Sequence, residues 1–168
     1  MNVALVPLAR EHLAAVEALF DDPDVLRFTR LPEPPPPDFA ATWLGRYEHA
    51  RRDGTREAFA LVDGGGEFLG LALAPRIERE ARTTELGYIV APSARGRGVA
   101  TAALRLLTEW AFAELGALRL ELLIGVENHA SKRVAERNGY RLEGVLRSLY
   151  LKQDLREDTE IWSRLPTD

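Results

Sequence analysis

The sequence predicts an α/β protein, with a mixed central sheet of about seven strands flanked by about four helices. Three observations point there. Apolar residues recur with period two in some segments and with helical spacing in others, and the two kinds interleave as β-α-α-β-β-β-α-β-α-β-β. Asp63-Gly64-Gly65-Gly66 lies between two apolar runs and reads as a hairpin turn, where glycine supplies the positive φ. The run Glu85–Val90 is followed by Pro92, by Gly96 and Gly98, and then by a long amphipathic stretch from Val99. That is a strand leading through a tight loop into a helix.

Taken in order, Asn2–Val6 is the first expected strand. Arg10–Phe20 is an amphipathic helix whose stripe is Leu13, Val16, Ala18 and Leu19. Asp21–Arg30 is a break with a short helical turn. Leu31–Pro37 carries four consecutive prolines from Pro34, so it is neither helix nor central strand and is expected to run as polyproline. It is read as a connector or as a wall of a substrate groove. Asp38 stands where it would cap the next helix, which runs to about Arg52 with Phe39, Trp43, Leu44 and Tyr47 inward. Asp53-Gly54 ends it. Glu57–Val62 and Glu67–Ala74 flank the hairpin turn, and the charged Arg76–Arg82 is the tip of a second hairpin into the central strand Thr83–Val90. The helix from Val99 has Ala103, Leu106, Leu107 and Trp110 at helical spacing. Leu118–Gly125 is the next strand and Asn128–Arg137 the next helix, stopped by Asn138-Gly139. Tyr140–Tyr150 and Thr159–Leu165 close the list of strands, with the charged Lys152–Asp158 as the turn between them. No repeat or linker interrupts the chain, so one domain over residues 1–168 is expected.

Composition narrows the function. At 168 residues and 46% hydrophobic content the chain can bury a sizeable core. There is no cysteine, hence no disulfide, thiol nucleophile or cysteine-bound metal. Three scattered histidines make a metal site an unpromising reading, and none is expected. The start, Met-Asn-Val-Ala-Leu-Val-Pro, lacks a charged leader and a long apolar run, and no segment approaches 18 apolar residues. A cytoplasmic protein with no membrane partner is the expectation. A net charge of −4 argues against nucleic acid as a partner but permits a basic pocket. With only Lys132 and Lys152 as lysines, amid much Ala, Leu, Arg and Pro, the composition points to a GC-rich bacterial genome.

The stretch Glu85–Ala100 organises the rest. The first amides of the helix after Gly98 have no intrahelical partner and sit at the positive end of its dipole, beside Arg95 and Arg97. Such a place suits an anion, most often a phosphate. A plain strand-to-helix turn is the competing reading. No Gly-Lys-Ser/Thr follows, so this is not a P-loop, and the glycines do not complete a dinucleotide fingerprint.

The stretch resembles motif A of the GNAT N-acetyltransferase superfamily, here Arg95-x-x-Gly98-x-Ala100. A second half follows at the family's distance: Asn128-His129-Ala130-Ser131 and then Asn138-Gly139-Tyr140. Among GNAT proteins the chain most resembles the RimJ/RimL-like branch, which acetylates protein N-terminal amines.

The resemblance implies a sheet splayed between the central strand and Leu118–Gly125, with acetyl-CoA as co-substrate in the gap. Its pantetheine arm would bond backbone groups of Tyr88, Ile89 and Val90. Its pyrophosphate would meet the amides of Gly96, Arg97, Gly98, Val99, Ala100 and Thr101, with Arg95 and Arg97 adding charge or remaining solvated. Asn128 would contact the pantetheine amides, or cap the following helix, or both. Ser131 would lie near the sulfur and bond the leaving thiolate, or else be a small packing residue. Glu85 falls where several members of the family place a general base; the plainer reading is a strand residue paired with an arginine. Many members carry a tyrosine acid seven residues after the asparagine, and here that position is Ala135. Ser131 or solvent must then protonate the thiolate.

For the acceptor, a protein or peptide N-terminal α-amine is the first reading. At pH 7 deprotonating an α-amine costs ~1.4 kcal/mol and a lysine ~4.6 kcal/mol, so a weakly assisted site suits the former. A small amine such as a polyamine, amino acid or aminoglycoside is the alternative, and an acyl-CoA-binding sensor without turnover is a third. Candidate groove residues are Phe28, Trp43, Tyr47 and Tyr150, each of which could equally be core. The last strands could extend the sheet across a homodimer.

Overall fold

The computed structural model describes residues 2–168. Its strands are β1 (Val3–Pro7), β2 (Glu57–Asp63), β3 (Phe68–Glu78), β4 (Thr83–Val90), β5 (Arg119–Gly125), β6 (Arg141–Lys152) and β7 (Leu155–Arg164). Its α-helices are α1 (Leu13–Phe20), α2 (Pro23–Phe28), α3 (Phe39–Asp53), α4 (Val99–Ala113) and α5 (His129–Arg137). The seven strands form one sheet in the order β1-β2-β3-β4-β5-β7-β6. Only β4 and β5 run parallel, because α4 carries the chain back between them.

Each face of the sheet holds a core. On one, Leu104 and Leu107 of α4 pack with Leu86, Leu120 and Leu122 of the strands and Ala135 of α5. On the other, Val16, Leu19 and Phe20 of α1 and Leu44 of α3 pack on Ala58, Ala60 and Leu71. Alternation along β4 sends Leu86 to the first core and Ile89 to the second.

Local expectations are met in one place and revised in others. The short turn of helix expected at 21–30 is α2, started by Asp22, whose Oδ1 accepts from the Val25 amide at 3.0 Å, and by Pro23 in the first turn. Asp38 sits at the start of α3 but makes no cap bond, because its own backbone is left-handed at φ 58°. The charged segment at 152–158 is mostly strand. Only Gln153 and Asp154, both at positive φ, make the turn, and β7 begins at Leu155. On α4 the buried face is Val99, Ala103, Leu104, Leu107, Thr108 and Ala111, rotated from the expected one, with Leu106 and Trp110 half-buried. Thr108 is accommodated by a 2.8 Å hydrogen bond with the Tyr140 hydroxyl.

Gly70 sits where β3 crowds β4. Its φ is +148°, and a Cβ there would stand 2.1 Å from the Ile89 carbonyl oxygen. Without a side chain at Gly70, β3 approaches β4 closely opposite Val90, where β4 has no strand on its other edge. Gly70→Ala is expected to cost on the order of 2–4 kcal/mol from backbone strain and overpacking. Urea unfolding would read it as a lowered midpoint at unchanged slope.

Candidate active site

Parallel pairing between β4 and β5 covers only Thr83↔Arg119, Thr84↔Leu120 and Glu85↔Glu121. Beyond it β5 pairs with β7 alone, through to Gly125↔Thr159. The sheet is therefore split from Glu85 onward. On its other edge β4 pairs with β3, Leu71 opposite Ile89, and the Ala91 amide donates to the Leu69 carbonyl at 2.9 Å. Antiparallel pairing alternates, so Ile89 spends its backbone groups on β3 while those of Tyr88 and Val90 turn into the split. This corrects the expectation for Ile89.

A cleft of about 540 Å³ runs along the split. Tyr88, Ile89 and Val90 line it, followed by Gly96, Gly98, Val99, Ala100 and Thr101 and, from the far side, Asn128 and Ser131. Among the described residues no backbone acceptor is found for the amides from Gly96 to Thr101, the next amide, Ala102, being bonded to the Gly98 carbonyl at 3.0 Å. Gly98 opens the helix at φ +79° with open space where a Cβ would be, so its glycine is required by conformation rather than by room.

The arginines divide differently from the expectation. Arg95 lines the cleft, but its guanidinium is held by Asp22 at 2.6 Å and Asp24 at 3.2 Å, and its Nε donates to the Val90 carbonyl at 3.3 Å. Arg97 does not line it and instead acts by its charge on Asp63. The cleft's unengaged cations are Arg133 and Arg137 of α5, which make no salt bridge among the described residues. Their i, i+4 spacing on the helix that carries Ser131 was the available signal for them.

Asn128 caps α5, its Oδ1 accepting from the Ser131 amide at 3.1 Å. Its amide nitrogen remains free beside the cleft. The Ser131 hydroxyl lies 2.8 Å from the Tyr88 hydroxyl. Burial pushes the Tyr88 phenol up to about 12 against the lowering effect of the Ser131 bond, so the pair keeps its protons at neutral pH. The sequence reading used only the backbone of Tyr88, since nothing in a strand pattern announces a hydroxyl partner on a distant helix. Ala135 is fully buried in the α4 core, and Tyr140, bonded to Thr108, is taken out of the site.

Glu85 is 4% exposed and opens on a second cleft, of about 650 Å³, with Arg30, Arg56, Arg76, Glu121 and Tyr150 among its lining. One Glu85 oxygen is bonded by Arg30, whose guanidinium also lies 4.7 Å from the centre of the Tyr150 ring. The other faces Arg76 at 3.5 Å. Arg76 reaches Glu121 at 2.9 Å, Glu121 meets Arg119 at 2.7 Å, and Arg119 grips Glu143 at 2.6 Å. Two of the four groove candidates are corrected. Trp43 packs edge-on against Phe20 and on Tyr47, and Tyr47 is 5% exposed, so this part of α3 is core. Phe28 lines the first cleft rather than the second, and Tyr150 lines the second.

The chain shares this fold, with its seven-stranded mixed sheet, with solved acetyltransferase structures. The Acetyltransferase (GNAT) domain matches residues 2–141, and the chain belongs to that family. It is an N-acetyltransferase by the same kinship. It is 30% identical over 145 residues to the spermidine N(1)-acetyltransferase of Escherichia coli (strain K12), covering 86% of this chain and 76% of that one. It is 34% identical over 100 residues to the ribosomal-protein-serine acetyltransferase of the same strain, covering 59% of this chain and 55% of that one. The spermidine N-acetyltransferase from Vibrio cholerae, in complex with CoA and spermine, superposes with a TM-score of 0.87 at 21% identity, over 99% of this chain and 96% of that one. Among the described residues no helix is long and apolar enough to cross a membrane.

The ion network gives the site a pH signature. The Arg119 bond, then the Ser163 hydroxyl, hold the Glu143 carboxyl down at about 2 from an ordinary 4.5. A depressed carboxyl stabilises the fold above pH 4.5 and gives that up as pH falls towards 2. Glu143→Gln should flatten the loss of stability across this window, measured by chemical unfolding at successive pH values.

Proposed function

We propose that the chain transfers the acetyl group of acetyl-CoA to a primary amine, with a protein or peptide N-terminal α-amine as the acceptor. The observation that carries this is the split after Glu85↔Glu121, which leaves a cleft with unpaired amides at one end and hydroxyls on its wall, and a second cleft with a buried carboxylate beside it. The amides from Gly96 to Thr101 take the pyrophosphate at the positive end of α4. Tyr88 and Val90 offer backbone groups to the pantetheine arm, as does the Asn128 amide nitrogen.

The amine nitrogen attacks the thioester carbonyl. A C–N bond forms, the C–S bond breaks, and the oxyanion between these events is met by the Val90 amide. With the Tyr88 hydroxyl donating to Ser131, the serine hydroxyl hydrogen-bonds the departing thiolate, which takes its proton from solvent. Glu85 takes the amine's proton through water, using lone pairs that its two arginines leave open. The low cost of deprotonating an α-amine, ~1.4 kcal/mol at pH 7, supports this acceptor, and so does the similarity to a ribosomal-protein acetyltransferase. A small amine is the second reading, favoured by the similarity to a spermidine acetyltransferase over 86% of the chain. The exposed apolar residues of the edge strand, among them Leu142, Val145 and Leu149, support pairing with a second copy.

Thiol release from acetyl-CoA in the presence of N-terminal peptides tests the whole reading. Release should depend on the first residue of the peptide; silence on every amine would leave a binding protein without turnover. Ser131→Ala should lower kcat by roughly 10²-fold with little change in the KM for acetyl-CoA, and Tyr88→Phe should lower it less. Glu85→Gln should cost about 10²-fold or more, and turnover within twofold of the parent would remove Glu85 from the mechanism.

A further inference from the structure

If the second cleft receives the acceptor, as the acetyltransferase function proposed above requires, its charges bear on which amine enters. Arg30, Arg56 and Arg76 line it together with Glu85 and Glu121. Neither carboxylate is free. Glu85 is held by Arg30 and Arg76, and Glu121 by Arg76 and Arg119. Glu78, next along β3, is bonded to Arg76 at 2.7 Å, and Glu33 faces Lys152 at 3.8 Å. A polycation entering here would find its counter-charges already matched.

Arg56 stands apart. It is exposed and lines the cleft, with its guanidinium 6.0 Å from the centre of the Tyr47 ring. It makes no salt bridge among the described residues, and the adjacent Glu57 is bonded to Arg51 at 2.6 Å. A guanidinium without a carboxylate, in a cleft where the acids are neutralised, calls for an anion from the substrate, and arginine's fork matches a carboxylate in two parallel bonds.

We propose that the acceptor is a primary amine that carries a carboxylate close to it, with Arg56 binding that carboxylate, and that polyamines are poor acceptors. The amine points to Glu85 and the split; the carboxylate points outward to Arg56. A free amino acid and a peptide N-terminus followed by an acidic residue share this chemistry.

The test compares kcat/KM with acetyl-CoA for Ser-Asp-Ala-Ala-amide, its Ser-Asn and Ser-Lys counterparts, free aspartate and spermidine, using the full chain. The acidic peptide or aspartate should exceed the Asn peptide by about tenfold, on the scale of one charge-assisted bond. The Lys peptide and spermidine should fall below it. Whichever carboxylate-bearing amine leads identifies the source. Arg56→Gln should bring the acidic-to-neutral ratio close to one, mainly through KM, and Arg56→Lys should restore part of it. Rates for the Asp peptide and for aspartate that both stay at or below that of the Asn peptide, a lead for spermidine, or a ratio untouched by Arg56→Gln would overturn the proposal while leaving the acetyltransferase reading intact. No transfer to any amine, with CoA still bound in a calorimetric titration, would overturn both.

Discussion

Everything at the site depends on where β4 and β5 stop pairing. Three residue pairs hold the strands together, and after Glu85↔Glu121 they part. From there the backbone groups of Tyr88 and Val90 have no strand to bond, an arrangement a folded protein tolerates only beside solvent or a ligand. The split persists because each strand is anchored on its outer side. Gly70 lets β3 press against β4, and β7 follows β5 along its whole length. Two clefts border the split, one lined by Tyr88 to Val90 and the glycine loop, the other by the last paired residues, Glu85 and Glu121.

The last paired residues are both acids, and an arginine chain surrounds them. Parallel pairing sets Glu85 beside Glu121 at the mouth of the split, where two like charges would repel. Arg30, Arg76 and Arg119 separate and neutralise them, drawing one side chain each from the segment after α2, from β3 and from β5. Because both carboxylates are largely out of water, desolvation offsets most of the Coulombic gain, and the pairs add little net stability although losing one partner would be costly. Their effect lies in the electrostatic character of the cleft, which presents no uncommitted carboxylate.

Arg95 shows how a motif residue can be turned to structural work. Its position beside the glycine loop suggests a phosphate contact, yet Asp22 and Asp24 at the start of α2 hold it. Burial pushes the Asp22 carboxyl up, but the bonds from Arg95 and the Val25 amide outweigh it and keep it below its ordinary range. The interaction fastens α2 across the cleft from α4, and so brings Phe28 to the first cleft's wall. Charge for the cleft is left to Arg133 and Arg137.

Much was legible in the chain. Period-two and period-3.6 patterns placed the strands and helices, because burial on one face leaves that imprint locally. The loop Arg95–Ala100 and the Asn128–Ser131 turn were legible because left-handed glycines and helix caps are short-range chemistry. Pairing across distance was not. The bond between Tyr88 and Ser131, the clamp of Arg30 and Arg76 on Glu85, and the unpaired state of Arg56 join residues from separate elements, and no local pattern encodes them. Trp43 and Tyr47 likewise have the composition of a groove and the position of a core, since only the packing of α3 on α1 decides which. The sequence by itself determined the elements and the anion-binding loop, which follow from local backbone conformation. The tertiary structure decided which charges are spent and which remain, because that depends on what the fold brings within reach.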